Sequence, residues 1–268
     1  MGFVDLHIHS TVSDGEYSPL DILQAAHRNS IGIISLTDHD AILGCKTIYE
    51  QSPKYGIKVI PGIEFSTYDN GSVHILGYNI DLYSSRLISY CNQKKRENAR
   101  EFARVIRELH DQGIDIPLNE IKNNYQRINV KNVITFLVDR DICSSRNEAN
   151  AICYRFNENA VRQTEGILKT KDCISFIHEL GGVAILAHPM LLTDNREMLA
   201  RKIEEYYECG LDGLECIHPR HSRQDTEWCK GIASSHGMLM TGGSDFHGNK
   251  NESIELARIG ESELLMML

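Results

Sequence analysis

Phe3-Val4-Asp5-Leu6-His7-Ile8-His9-Ser10 is the most informative stretch of the sequence. Its apolar residues predict a β-strand that begins at Phe3. Because side chains alternate between the two faces of a strand, His7 and His9 share one side and Ile8 takes the other. Two imidazoles on one side can bind one divalent metal ion. The stretch therefore predicts a strand that carries part of a metal site.

Short apolar runs of the same kind recur along the chain, with helical sequence between several of them. The predicted strands are Phe3–Leu6, Ile31–Leu36, Lys58–Ile63, Val73–Tyr78, Val183–Leu186, Leu211–Glu215 and Met238–Thr241. Alternating strands and helices are typical of an α/β fold with a parallel sheet or barrel. In α/β barrels the carboxyl ends of the strands form the face that holds the active site. We therefore expect functional side chains to converge there.

Two helical features refine this expectation. Ser18-Pro19 predicts a helix start, with the serine as N-cap and the proline in the first turn, and one apolar face is expected to contain Leu20, Leu23, Ala26 and His27. Residues 83–170 change to polar helical sequence, in which Arg96–His110 carries an apolar stripe of Phe102, Val105, Ile106 and Leu109. We interpret 83–170 as a helical insertion that contributes to the substrate pocket, between barrel parts 1–82 and 171–268.

Most of the predicted strands contain, or run directly into, a polar cluster. Together with the loop after the first strand and the strand that contains His74, these clusters supply nine candidate metal ligands: His7, His9, Asp14, His39, Glu64, His74, His188, Asp245 and His247. A single ion has roughly four to six coordination positions, so the set predicts two or three ions. Mixed nitrogen and oxygen ligands favour manganese, with zinc or iron as alternatives, and the absence of cysteine pairs near the motifs argues against an iron–sulfur centre.

Individual members of this set have simpler interpretations. His74, taken alone on a strand, is more often a hydrogen-bonded core histidine than a ligand. Asp14 precedes Gly15 and is typical of a turn, although its carboxylate follows the first strand and can reach the His7 and His9 site. Asp38 is a candidate catalytic residue that orients an imidazole, or a cap of the following helix. Each motif alone is weak, whereas the ordered set is specific.

The ordered series resembles the polymerase and histidinol phosphatase (PHP) family. Its motifs are D-L-H-I-H-S at 5–10, T-D-H-D at 37–40, P-G-I-E at 61–64, H-I-L-G-Y at 74–78, L-A-H-P at 186–189 and G-G-S-D-F-H-G at 242–248. Within the family, the chain is most similar to stand-alone phosphoesterases related to nucleoside-3′,5′-bisphosphate phosphatase. The resemblance implies a distorted (β/α)7 barrel with a site for two or three metal ions.

The resemblance also implies how the nine ligands divide. It assigns to one ion a first group, His7, His9, Glu64 and Asp245. It assigns to another ion a second group, Glu64, His74 and His188, so that Glu64 bridges the two ions. The third group is Asp14, His39 and His247.

The insertion departs from the family pattern. Relatives usually carry a segment like G-R-P-H or T-R-A-H whose Arg and His meet the substrate phosphate, but Val130 and Asn132 replace them here. Arg127 or Lys131 is our candidate for the substrate-binding cation, because Arg offers a bidentate fork and Lys a point charge. His218 is a candidate phosphate contact or proton donor, and equally a strand-end histidine that only supports the site.

The leading functional hypothesis is hydrolysis of a phosphate monoester of a small nucleotide or sugar phosphate by attack of a metal-bound hydroxide. The alternative is a phosphodiesterase acting on a cyclic sugar phosphate or a short oligonucleotide. A metal-binding regulatory module without activity and an amide hydrolase of the amidohydrolase type are more distant hypotheses. The complete ligand set disfavours the former, and the latter predicts turnover of amides.

Charge and composition limit the partners. The 268 residues carry 28 Lys and Arg against 37 Asp and Glu, a formal net charge of −9. This balance argues against a long nucleic acid, which needs a basic surface, but allows a small phosphorylated substrate held by metals. No apolar run approaches the roughly 18 residues of a membrane span, no signal peptide pattern is present, and the eight cysteines are scattered singly. We expect a cytoplasmic protein with no membrane partner, whose oligomeric state stays open.

Overall fold

The computed structural model describes residues 2–69, 71–125, 129–153, 168–248, 255–260, 262 and 264. The chain divides into two compact units, one made of Met1–Cys91 with Ile167–Leu268 and the other of Asn92–Gly166. All nine candidate metal ligands belong to the first unit.

The strands are β1 (Phe3–Ile8), β2 (Ile31–Leu36), β3 (Lys58–Val59), β4 (Gly62–Tyr68), β5 (Ser72–Tyr78), β6 (Val183–Leu186), β7 (Gly213–Ile217), β8 (Leu239–Gly242) and β9 (Ile259–Gly260). The helices are α1 (Pro19–Arg28), α2 (Leu43–Gln51), α3 (Ser85–Asp111), α4 (Leu118–Tyr125), α5 (Val130–Asp139), α6 (Arg146–Cys153), α7 (Thr170–Glu179), α8 (Arg196–Glu208) and α9 (Arg223–His236). Short 3-10 helices cover Ser52–Tyr55 and Pro189–Leu191. The predicted mixed α/β class is confirmed.

The strands form two sheets, in the order β3-β2-β1-β9 and β4-β5-β6-β7-β8. The first three strands of the first sheet are parallel, as are β6, β7 and β8, whereas β5 runs antiparallel to both of its neighbours. The expectation of a parallel sheet is therefore wrong at β5, and also at β9, which pairs antiparallel with β1. Residues 69–71 alone connect β4 to β5, and a parallel connection needs a crossover of about a dozen residues or more.

The predicted strand Lys58–Ile63 is two strands that belong to different sheets. β3 pairs with β2, and the N–H of Ile60 still donates to the carbonyl of Ile34 at 2.9 Å. Pro61 follows, and it has no N–H with which to continue the ladder. The chain then enters the second sheet as β4, which brings Glu64 beside the end of β2.

Two isolated parallel bridges join the sheets, Ile8 with Phe246 and His39 with Glu64. Both bridges lie at or near candidate ligands. Closure into a (β/α)7 barrel stays a prediction of the family resemblance.

The helices of the first unit cover the apolar faces of these sheets. At α1 the predicted cap is confirmed, because Ser18 accepts from the N–H of Asp21 and forms a capping box with it. The predicted apolar face is only partly right: Leu23 and Ala26 are buried, whereas Leu20 is 41% exposed and His27 is exposed. Ile22 and Ala25 complete the buried face instead.

The second unit is helical in its described residues. The apolar stripe predicted on Arg96–His110 is confirmed on α3, where Val105 and Leu109 are fully buried and Phe102 and Ile106 pack beside them. Their buried partners come from α4, α5 and α6. Among the helices of the described ranges, none is both long enough and apolar enough to cross a membrane.

Candidate metal centre

The nine candidate ligands converge in the first unit from both sheets. His7, Glu64 and His74 lie on β1, β4 and β5, and the others follow the ends of strands or lie in the loop after β1. The ligand atoms of the predicted first group, His7, His9, Glu64 and Asp245, all lie within 4.8 Å of one another. The same holds for two further sets: His9, Asp14, His39 and His247, and His39, Glu64 and His74.

Glu64 is the centre of this arrangement because its two oxygens face different imidazoles. Oε1 lies 3.0 Å from Nδ1 of His74 and 3.2 Å from Nε2 of His188, and these two nitrogens are 3.3 Å apart. The second group therefore forms a close triangle. Oε2 faces three other nitrogens, at 3.1, 3.1 and 3.2 Å: Nε2 of His7, Nε2 of His9 and Nδ1 of His39.

The third group gathers around Asp14, which lies in the loop after β1. Its Oδ2 is 3.1 Å from Nε2 of His247, and its Oδ1 is 3.5 Å from Nδ1 of His9. The rings of His9 and His247 stack at 4.2 Å, and the ring of His39 lies 4.6 Å from that of His9. The structure thus adds His9 to the predicted third group, while His39 also faces Glu64.

The donor set fits divalent metal ions. Within the described residues, Nδ1 of His9 and Nδ1 of His39 are buried and have no hydrogen-bond partner, although each lies 3.5 Å or less from a carboxylate oxygen. A buried polar atom without a partner costs free energy. Nitrogens and carboxylate oxygens that approach one another without hydrogen-bond geometry are arranged as ligands directed at a common ion.

In the absence of an ion, attraction between carboxylates and imidazoles stabilises the cluster. Burial by itself would raise the pKa of Glu64, but the imidazoles of His39 and His7 hold it well below its usual range. Burial would likewise lower the pKa of His9, but hydrogen bonds to Asp245 and Glu64 raise it to about 9. His39 behaves in the opposite way, because burial lowers its pKa to about 3 despite Glu64.

Backbone geometry positions two of the candidate ligands. His188 and Asp245 adopt left-handed conformations, with φ of 30° and 49°. Such conformations are unfavourable for residues other than glycine and are found where the surroundings enforce them, often at functional sites. Gly243 packs so closely on β1 that an added Cβ would overlap the main-chain nitrogen and Cβ of His7. This contact sets the spacing between the two ligand-bearing segments.

Both earlier interpretations of Asp38 need correction. Its buried carboxylate accepts hydrogen bonds from the N–H and hydroxyl groups of Ser10 and Ser13, at 2.6 to 3.1 Å. It is not the cap of α2, whose N-cap is Ile42 without a side-chain bond. These bonds connect Asp38 to the loop that carries Asp14, rather than to an imidazole. Its effect on the centre is therefore to hold that loop in place.

His218 lies beside the first group. Its Nε2 is 3.4 Å from Oδ2 of Asp245, and its Nδ1 accepts from the N–H of Arg220 at 3.1 Å. Because Nδ1 is an acceptor, the proton of the neutral ring lies on Nε2. Lys131 lies on the first turn of α5 in the second unit, and Arg127 falls outside the described residues.

Two buried carboxylates beside the ligands were absent from the predicted set. Glu215 on β7 accepts from His7 and from the main chain of His188. Asp5 on β1 accepts from the N–H groups of Ser244 and Ala257 at 2.9 and 2.7 Å. The sequence signal for Glu215 is a charged residue within an otherwise apolar strand, whereas Asp5 begins the D-L-H-I-H-S motif and alternates with His7 and His9.

Residues 5–209 match the PHP domain family. The chain belongs to the PHP family.

Several PHP relatives align over nearly the full chain. The phosphoribosyl 1,2-cyclic phosphate 1,2-diphosphodiesterase of Eggerthella lenta is 28% identical, over 91% of this chain and 94% of its own length. The 5′-3′ exoribonuclease Rnm of Escherichia coli is 29% identical, over 91% and 84%. The 3′,5′-nucleoside bisphosphate phosphatase of Chromobacterium violaceum is 25% identical, over 92% and 88%.

A solved structure shares the fold. A protein from Bifidobacterium adolescentis, assigned as a metal-dependent phosphoesterase, superimposes with a TM-score of 0.75 at 23% identity, covering 97% of this chain and 93% of that one. The predicted PHP membership is thus confirmed, as is the predicted class of enzyme, a metal-dependent phosphoesterase and therefore a hydrolase. The relatives differ in the phosphate ester that they cleave.

Proposed function

We propose that this protein hydrolyses a phosphate monoester of a small nucleotide or sugar phosphate at a centre of two or three divalent ions. The observation that carries the proposal is the position of Glu64, whose two oxygens face separate sets of imidazoles. A carboxylate shared in this way would serve as a ligand to two ions, and sites with two ions are a recurrent solution for phosphate ester hydrolysis.

The proposed ligands are the nine predicted side chains. The first group would hold one ion, the second group another, and the third group, with His9 beside it, a third. When bound, such ions lower the pKa of a water molecule towards neutrality and neutralise charge on phosphoryl oxygens. Manganese is the proposed metal, with zinc or iron as alternatives, because the donors are imidazole nitrogens and carboxylate oxygens.

The residues of the chain supply position and hydrogen bonds. His218 carries its proton on Nε2, at the edge of the first group, where it is placed to donate to a phosphate or leaving-group oxygen. The 3.4 Å separation from Asp245 is long for a hydrogen bond, so this donor can turn to a substrate oxygen. We propose Arg127 or Lys131 as the cation that binds the substrate phosphate.

Hydrolysis of a phosphodiester is a second candidate function, since the relatives support it as strongly as they support hydrolysis of a phosphate monoester. One is a diesterase of a cyclic sugar phosphate, and another is an exoribonuclease. The formal charge of −9 favours a short substrate over a polymer in either case.

A phosphate-release screen tests the proposal. Manganese-loaded protein would be assayed on nucleoside bisphosphates, sugar phosphates, a cyclic sugar phosphate and short oligonucleotides. Comparison of p-nitrophenyl phosphate with bis-p-nitrophenyl phosphate then separates monoesterase from diesterase activity. We expect His9→Ala and Asp245→Ala to lose metal and activity together, and His236→Ala, which removes a surface imidazole on α9, to retain both.

Three results would contradict the proposal. Protein that binds two or three manganese ions but releases no phosphate from any ester would refute it, and turnover of amides would point to an amidohydrolase instead. Folded protein that binds almost no metal would point to a regulatory module.

A further inference from the structure

The buried carboxylate of Glu215 has no part in the proposed ligand set, although it contacts two members of that set. It lies on β7 and is completely buried. Oε1 is 2.9 Å from Nδ1 of His7, and Oε2 accepts from the main-chain N–H of His188 at 2.7 Å. One side chain thus connects ligands from the first group and the second group.

The contact with His7 determines which ring nitrogen is free for a metal. Nε2 of His7 faces the cluster, 3.1 Å from Glu64 and 3.5 Å from Asp245. A neutral imidazole binds a metal through its unprotonated nitrogen, so the proton of His7 must lie on Nδ1. That proton needs an acceptor in a fully buried position, and Oε1 of Glu215 is in place to accept it.

The contact with His188 acts on the main chain. His188 has a φ of 30°, and its Nε2 lies 3.2 Å from Glu64. The hydrogen bond from its N–H to Glu215 holds the turn after β6 in this unfavourable conformation. We expect loss of that bond to release the His188 ring from its position beside Glu64.

We propose that Glu215 is a positioning residue that holds the proton of His7 on Nδ1 and the main chain of His188 in its left-handed turn. Both neighbours are donors, so the role requires two acceptors and no donor, which an ionised carboxylate provides. Glutamine has nearly the same shape but only one acceptor oxygen. In one orientation the NH2 group of the glutamine faces Nδ1 of His7 and favours the ring with a proton on Nε2. In the other orientation the NH2 group faces the main-chain N–H of His188, so that two donors meet.

The first experiment compares manganese affinity between the wild-type protein and Glu215→Gln, after removal and stepwise return of the metal. We expect the variant to bind about 10–100-fold more weakly, the range for loss of a ligand's hydrogen-bond partner. Glu204→Gln is the matched control, because it changes a glutamate that also contacts a histidine, His236, at 2.7 Å on the surface. Affinity in Glu215→Gln equal to that in Glu204→Gln would overturn the proposal.

The second experiment needs no variant. In zinc-loaded wild-type protein, nitrogen-15 NMR of the histidine rings reports which nitrogen of His7 carries the proton. We expect it on Nδ1, and a proton on Nε2 would overturn the proposal even if Glu215→Gln does not fold.

The inference rests on the metal centre of the proposed function but not on its substrate. Both readouts are independent of phosphate release. A protein that binds metal as described but cleaves no phosphate ester would refute the proposed function and leave the role of Glu215 intact.

Discussion

His39 and Glu64 meet twice: their main chains form an isolated parallel bridge between the two sheets, and their side chains approach to 3.2 Å between Nδ1 and Oε2. The same two residues therefore connect the two sheets through their main chains and contact each other within the candidate metal centre through their side chains. Changes to the centre are expected to affect the stability of the fold as well as catalysis.

Replacement of Glu64 by Gln tests this connection. Its buried negative charge is surrounded by imidazoles, and removal of one member of a buried ionic cluster typically costs about 3–5 kcal/mol. We expect the free energy of unfolding of the metal-free protein to fall by about 3 kcal/mol in urea titrations, and metal content to fall as well. Glu227→Gln, which makes the same change at an exposed glutamate on α9, is the control. An unchanged unfolding midpoint in Glu64→Gln would show that the cluster does not stabilise the fold.

Asp38→Asn is expected to weaken the third group selectively. The amide keeps one acceptor but turns a donor towards the donors of Ser10 and Ser13, which loosens the loop that carries Asp14. We expect activity to fall about 10–100-fold with loss of the most weakly bound ion. Elemental analysis and phosphate release measure both effects. Ser13→Ala, which removes a single donor, should show a smaller decrease, and an equal decrease would contradict the explanation.

Metal binding is expected to release protons at neutral pH. Without metal, burial would lower the pKa of His9, but hydrogen bonds to Asp245 and Glu64 raise it to about 9, so the ring is protonated at pH 7.5. A ligand nitrogen must lose its proton, so metal affinity should rise with pH up to about 9 and fall in acid. Titration calorimetry in two buffers of different ionisation enthalpy measures the released protons. Identical apparent enthalpies in both buffers would contradict the prediction.

The insertion should affect substrate binding more than turnover. If Arg127 and Lys131 provide the phosphate contact, the double variant Arg127→Ala/Lys131→Ala should raise KM about tenfold or more, the equivalent of ~1.4 kcal/mol, with a smaller change in kcat. Lys95→Ala removes an exposed cation of the same unit and serves as the control. An unchanged KM in the double variant would place phosphate recognition elsewhere, with His218 the next residue to test.

The candidate ligands were predictable as a set because most of them lie within an apolar run or directly after one. A charged or imidazole side chain at the end of a strand stands out, and the order of six such motifs is specific. Glu215 was not predictable in the same way, since a single carboxylate within a strand has no spacing pattern. Asp5 alternates with His7 and His9, but that spacing does not show that its carboxylate accepts from Ser244 and Ala257. Only the contacts of Glu215 with His7 and His188 show that it lies beside the candidate metal centre.

The fold shows the same division between local and non-local information. The cap at Ser18 was predictable because it depends on neighbouring residues. The direction of β5 and the break at Pro61 depend on which sheet each strand joins, a choice that apolar runs do not encode. The strand β9 has only two residues, and its partner β1 is separated from it by nearly the whole length of the sequence.

The contact of Gly243 with the main chain of His7 also limits how this centre can be re-engineered. Asp14 and His247 lie outside the strands, so we expect that exchanging them to suit another ion leaves β1 and β8 unchanged. The gap between β1 and the segment after β8 admits no β-carbon at position 243. A library that varies ligands while retaining Gly243 would therefore sample new metal preferences on one unchanged scaffold.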